Sequence, residues 1–225
     1  MLVIVDLDDT LCNTWEAAKK AAIRLLPRIF RLRKFRAFLY VASRRYKELE
    51  EMRELHLLGL DEIVQKVMGR IYKGENYSDI AEEFDKAFFS HLHLYPDAEP
   101  FLRGLKEMGA KIVLVTDSSA RWQRRKIEHL GIARYLDGVI ISGETGHTKF
   151  EPHNFILAKR MFPKERRMFV VGDRDETDMK GGKSIGATTI LVRRGYFKGR
   201  KARHADFVVK NLSEALEVIE REHKA

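Results

Sequence analysis

Short runs of apolar, mostly β-branched residues recur along this 225-residue chain, and they limit its possible folds more than any other feature. They are Leu2–Val5, Lys111–Val115, Gly138–Ile141, Met168–Val171, Thr189–Val192 and Phe207–Val209. Each is apolar nearly throughout, the signature of a strand covered on both faces. From Glu99 onward, stretches with helical spacing fall between them, such as Glu99–Met108 and Arg121–His129. Strands buried on both faces and joined by helices predict an α/β fold, a Rossmann-like parallel sheet with crossover connections.

The first two runs are separated by roughly a hundred residues, far more than a crossover requires. Within that gap Trp15 to about Phe30, Arg33–Lys47, Glu48–Leu58, Asp61–Tyr72 and Ser78–Ser90 all read as helices, punctuated by Gly59, Gly74 and Asn76. The economical reading is an α-helical cap inserted at residues 15–93. It leaves 1–14 and 94–225 as a discontinuous α/β catalytic core.

No apolar run approaches the ~18 residues that would read as a membrane span. The N-terminus turns acidic after four apolar residues and lacks the basic flank of a signal peptide. The single cysteine, Cys12, excludes an internal disulfide, so a cytoplasmic protein is expected, either monomer or homodimer. The net charge of +9 is localised. Residues 17–47 contain no Asp or Glu but eleven Lys and Arg, so the remainder is acidic overall. Such a run is most simply a solvated face. It could also steer an anionic substrate or, with Phe30, Phe35, Phe38 and Tyr40 interleaved, contact a polyanion such as nucleic acid.

Polar residues gather where the strands end. The first run leads into Asp6-Leu7-Asp8-Asp9-Thr10, the second into Thr116-Asp117-Ser118, and the third into Ser142 with Lys149 shortly after. The fourth leads into Gly172-Asp173-Arg174-Asp175-Glu176-Thr177-Asp178. Open parallel sheets bind ligands beyond the carboxyl ends of their strands, so these residues would share one pocket if the first and fourth strands were neighbours. Clustered carboxylates repel one another, and a hard divalent cation relieves that repulsion. Magnesium fits such a set through a few carboxylates, water and a phosphate; no calcium loop of the D-x-[DN]-x-[DN]-G kind is present.

In this pattern the chain resembles the haloacid dehalogenase superfamily, specifically its phosphatase branch with a helical cap. The family's D-x-D-x-T motif matches Asp6–Thr10, and its strand-ending Ser or Thr matches Thr116. Its Lys in K-P-x-P-x-x-F matches Lys149–Phe155, with Phe150 in place of the first Pro, and its G-D-x-x-x-x-D matches Gly172–Asp178. The resemblance implies that Asp6 is the nucleophile and Asp8 the general acid and base. Thr116, the backbone amides of Asp117 and Ser118, and Lys149 would bind the phosphoryl group. Mg²⁺ would be held by Asp6, the Asp8 carbonyl oxygen and Asp173, with Asp178 acting through water or orienting Lys149. The expected substrate is a phosphorylated small molecule. Dehalogenases of the superfamily expel halide without protonation and lack an acid at the position of Asp8. A phosphomutase of the same superfamily, or a nucleic-acid-binding protein acting through the basic segment, are the alternative readings. Trp15, Arg53, His56 and the Leu57–Leu60 turn are expected near the pocket entrance.

Overall fold

The computed structural model describes residues 1–31, 56–72 and 77–224. Six parallel strands form one sheet: β1 (Leu2–Val5), β2 (Lys111–Thr116), β3 (Gly138–Ile141), β4 (Met168–Gly172), β5 (Thr188–Val192) and β6 (Phe207–Val209). Their order is β3-β2-β1-β4-β5-β6, so β1 lies between β2 and β4. Three of the six apolar runs have the expected bounds, and the other three are each one residue longer. Burial on both faces holds for β1, β2, β4 and β5. At the edge strand β6 it does not: Val208 is 46% exposed.

Alternate side chains of each central strand enter different cores, as the two-residue period of a strand requires. Val3, Val5, Ile112 and Leu114 pack in one. They meet α1 (Thr14–Arg31), α3 (Ser78–His91), α4 (Ala98–Glu107), α5 (Ala120–His129) and α9 (Leu212–Lys224) there. Leu2, Ile4, Val113 and Val115 pack in the other, against Phe155 of α7 (His153–Met161) and against Met179 and Ile185. Between these helices in sequence lie α2 (Leu60–Ile71) and two short helices, α6 (Ser142–Thr145) and α8 (Lys180–Ser184).

Within the predicted insertion, α1, α2 and α3 coincide with three of the five helical readings to within one residue at each end. Residues 32–55, which carry most of the other two, lie outside the described residues. Helix α1 buries Ala17, Ala21 and Leu25, one position per turn, against the apolar stripe of α3 that includes Ile80, Phe84 and Phe88. Arg28 of α1 is paired with Asp79 and Glu83 of α3. Phe88 and Phe89 pack on Trp122 of α5, with ring centres 5.0 and 5.3 Å apart. Arg125 of α5 holds Asp85 of α3 through two bonds of 2.7 and 3.0 Å.

Candidate active site

Strand β1 ends at Val5, but the Asp6 amide still donates to the Val171 carbonyl of β4 at 3.0 Å. The carboxylate of Asp6 is therefore fixed beside the end of β4, on the edge where the strand order reverses. Lys149 Nζ donates to Asp6 Oδ1 at 2.6 Å and to Asp178 Oδ1 at 2.7 Å, and all three side chains are over 90% buried. Thr10 Oγ1 donates to the second oxygen of Asp6 at 3.0 Å. Asp178 turns its own second oxygen to the Arg174 amide at 3.1 Å. Gly172 lets this happen: a Cβ there would sit 2.5 Å from Asp178 Cγ.

Carboxylate oxygens of Asp6, Asp173 and Asp178 lie within 4.8 Å of one another. Asp173 Oδ2 is buried without a hydrogen-bond partner. Burial, reinforced by Asp6 and Asp178, raises the Asp173 carboxyl well above the usual range. Burial likewise lifts Asp178 to about 6, against the pull of Lys149. Lys149 is buried too, yet Asp178 and Asp6 hold its ammonium above the ordinary lysine range. One buried cation among three buried carboxyls leaves a negative excess, and the orphaned oxygen of Asp173 faces it without a donor. This set of hard oxygen donors fits a divalent cation such as Mg²⁺.

Asp8 points elsewhere. Its Oδ1 meets Lys126 Nζ of α5 and the Thr14 hydroxyl at the start of α1, and its Oδ2 accepts from Gln123 Nε2 of α5 at 2.6 Å. Gln123 also reaches Thr116 Oγ1 at 2.8 Å and the Asp117 carbonyl at 2.7 Å, tying the ends of β1 and β2 together. Burial pulls the fully enclosed Lys126 amine down to about 7, and the Asp8 carboxylate is the counter-charge on it. Thr116 is fully buried at the end of β2, with its hydroxyl between Gln123 and Asp8.

The Asp117 side chain accepts the Lys149 amide at 3.0 Å, so it braces the lysine loop, and burial lifts its carboxyl to about 6. The Ser118 amide donates to Ser142 Oγ at 2.9 Å. Ser118 and Ser142 in turn donate to the Leu58 and His56 carbonyls, at 2.6 and 2.9 Å, which pins segment 56–58 over the ends of β2 and β3.

Residues 1–186 match the family described as haloacid dehalogenase-like hydrolase. The chain belongs to that family. Glyceraldehyde 3-phosphate phosphatase of Methanocaldococcus jannaschii is 27% identical over 225 residues, with 96% of each chain covered. The phosphatase of the same name from Methanopyrus kandleri is 36% identical over 136 residues, and there the chain spans 58% of the relative's length. A HAD phosphatase from Thermococcus onnurineus has the same fold, with a TM-score of 0.63 at 23% identity over 97% of both chains. So does an L-2-haloacid dehalogenase from Xanthobacter autotrophicus, with a TM-score of 0.73 at 19% identity over 98% of this chain and 99% of that one.

In this haloacid dehalogenase-like hydrolase the acids open into a cleft of about 280 Å³, which Asp6, Asp8, Lys149 and Asp173 line. His56, Leu58 and Leu60 line it as well, as expected for that turn. Trp15 is set back, its ring against Tyr196 at 4.8 Å, while Arg53 lies outside the described residues. So do Phe35, Phe38, Tyr40 and six of the eleven basic residues in 17–47. Among the described residues no helix is long and apolar enough to cross a membrane.

Four site residues carried no assigned role in the sequence. Gln123 and Lys126 belong to a helix that reads as ordinary, and their only signal is polarity inside its buried stripe. Arg174, between two motif acids, also lines the cleft. Asp9 is the fourth: its backbone is left-handed (φ 57°), and its carboxylate accepts the Trp15 amide at 2.8 Å and the Tyr196 amide at 3.0 Å. Burial lifts that carboxyl to about 6. Gly195 (φ 63°) makes room for it, since a Cβ there would lie 2.2 Å from Asp9 Cβ.

Proposed function

We propose that this hydrolase is a magnesium-dependent phosphatase that cleaves the phosphate monoester of a small molecule through an aspartyl-phosphate on Asp6. The observation that carries the reading is Asp8, a second carboxylate lining the Asp6 cleft in a fold that also serves dehalogenases. Expelling halide needs no acid there; expelling an alkoxide does. The curated relatives named above, both phosphatases, support the same reading.

An Asp6 oxygen attacks phosphorus, the ester P–O bond breaks, and Asp8 gives its proton to the departing oxygen. Water then attacks the acyl phosphate while Asp8 takes its proton, which releases inorganic phosphate and restores Asp6. Lys149 neutralises Asp6 and holds it in line, and Asp178 keeps Lys149 in place. Thr116 and the Asp117 amide would receive the phosphoryl oxygens, while the Ser118 amide is held by Ser142. Bound at Asp6, Asp173 and the Asp8 carbonyl oxygen, with Asp178 reaching it through water, Mg²⁺ would neutralise phosphoryl charge.

Residues 15–93 are read as the cap that covers the cleft, on a core of 1–14 and 94–225. A single buried thiol suits the cytoplasm. Hydrolysis of p-nitrophenyl phosphate, with and without Mg²⁺, tests the reading directly. Metal-dependent phosphate release that disappears in Asp6→Asn is expected; release that survives the substitution would sink the mechanism.

A further inference from the structure

Phe150 stands where the family's lysine motif has proline, and the structure gives that departure a use. Its ring centre lies 4.8 Å from the guanidinium carbon of Arg174 and 5.1 Å from the His56 ring. Phe197, from the loop after β5, lies 4.6 Å from the same guanidinium carbon. Two aromatic rings from loops far apart in sequence thus hold one arginine at the wall of the cleft.

The cleft-lining lysine, Lys149, is already committed to Asp6 and Asp178. Arg174 is not committed in this way. Among the described residues no carboxylate pairs with it, and its Nε is buried without a hydrogen-bond partner. Stacking against rings takes water from a guanidinium's faces and restricts its rotamers, but leaves the in-plane N–H fork for an oxyanion. A planar fork that is held still and left unpaired suits bidentate recognition of carboxylate or phosphate.

Resting on the phosphatase reading, we propose that Phe150, Arg174 and Phe197 form an anion subsite. The substrate is then a small phosphate ester carrying a second oxyanion, either a carboxylate or another phosphate. The phosphoryl group to be cleaved lies over Asp6, and the second anion meets the Arg174 fork.

The test is a discrimination ratio in kcat/KM, measured on the Mg²⁺-loaded enzyme with two substrate pairs. 3-Phosphoglycerate against glycerol 3-phosphate isolates a carboxylate; fructose 1,6-bisphosphate against fructose 6-phosphate isolates a second phosphate. Wild type should favour the doubly anionic member of at least one pair by about ten- to a hundredfold, the range of a charge-assisted bond. Arg174→Met should bring that ratio close to one, Arg174→Lys should restore part of it, and Phe150→Leu should reduce it with the charge still present. Calorimetric binding of the same pairs to Asp6→Asn, which cannot turn over, should show the same preference. A wild-type ratio near one in both pairs, or a ratio that Arg174→Met leaves intact, overturns the subsite while the phosphatase reading stands. Absence of hydrolysis of these esters and of p-nitrophenyl phosphate overturns the phosphatase reading and the subsite with it.

Discussion

The floor of the cleft and its rim are built differently. At the floor, Asp6, Asp173, Asp178 and Lys149 are buried, and Lys149 bonds both Asp6 and Asp178. At the rim, Arg174, Phe150, Phe197 and His56 are partly exposed and meet through ring contacts between loops. A floor of paired charges tolerates little change, because removing one partner strands another in a low-dielectric site. A rim of ring contacts can change composition without breaking a buried ion pair. On the proposed reading, the difference separates what performs the chemistry from what selects the molecule.

Substitutions can break that contrast, beginning with the floor. Asp6→Asn should lower kcat on the order of 10⁴-fold or more, the scale seen when a covalent nucleophile is removed. A loss of less than about tenfold would mean that the floor does not hold the reacting group. Asp8→Asn should cost about 10²- to 10⁴-fold on alkyl phosphates and clearly less on p-nitrophenyl phosphate, whose leaving group needs no proton. Equal losses on both would remove Asp8 from the role of acid.

Asp117 sharpens the comparison because its carboxylate braces the loop that carries Lys149. Its carboxyl titrates at about 6 when folded, against the ordinary 3.8. The folded state therefore holds this proton more tightly, so the group supports stability below about pH 4 and that support is lost as pH rises through 6. Asp117→Asn keeps an acceptor for the Lys149 amide. Urea titrations of the metal-free proteins should show wild type losing about 2 kcal/mol relative to this variant between pH 4 and 7. A pH-independent difference would refute the buried-proton assignment. Smallest of the set, Gln123→Leu should reduce kcat about tenfold by freeing Asp8 and Thr116, with little change in KM. A pure KM effect would assign Gln123 to binding instead.

The same division marks how much could be read from sequence. β1, β3 and β6 were legible to the residue because an apolar run ends abruptly where the chain leaves the sheet. That Asp6, Asp173 and Asp178 meet was legible because each follows the end of β1 or β4, and those strands are neighbours. Gln123 and Lys126 were not, since a helix burying Trp122 and Ile127 hides two polar side chains in the same stripe. The ring contacts at Arg174 were out of reach too, because they join residues 150, 174 and 197 with no local pattern to connect them. Asp117 and Ser118 were placed at the right turn, but the Asp117 carboxylate braces Lys149 and the Ser118 amide is taken by Ser142.

Cys12 sits on the same short stretch as Asp6, fully enclosed, with its Sγ 3.4 Å from the Leu7 carbonyl it donates to. Burial pushes its thiol well above the usual range. While that stretch is closed, the thiol is sealed away from alkylating reagents and from other copies of itself. A thiol-reactive dye would act as a stopwatch on the β1–α1 turn, with the labelling rate counting how often the ground beneath Asp6 comes apart.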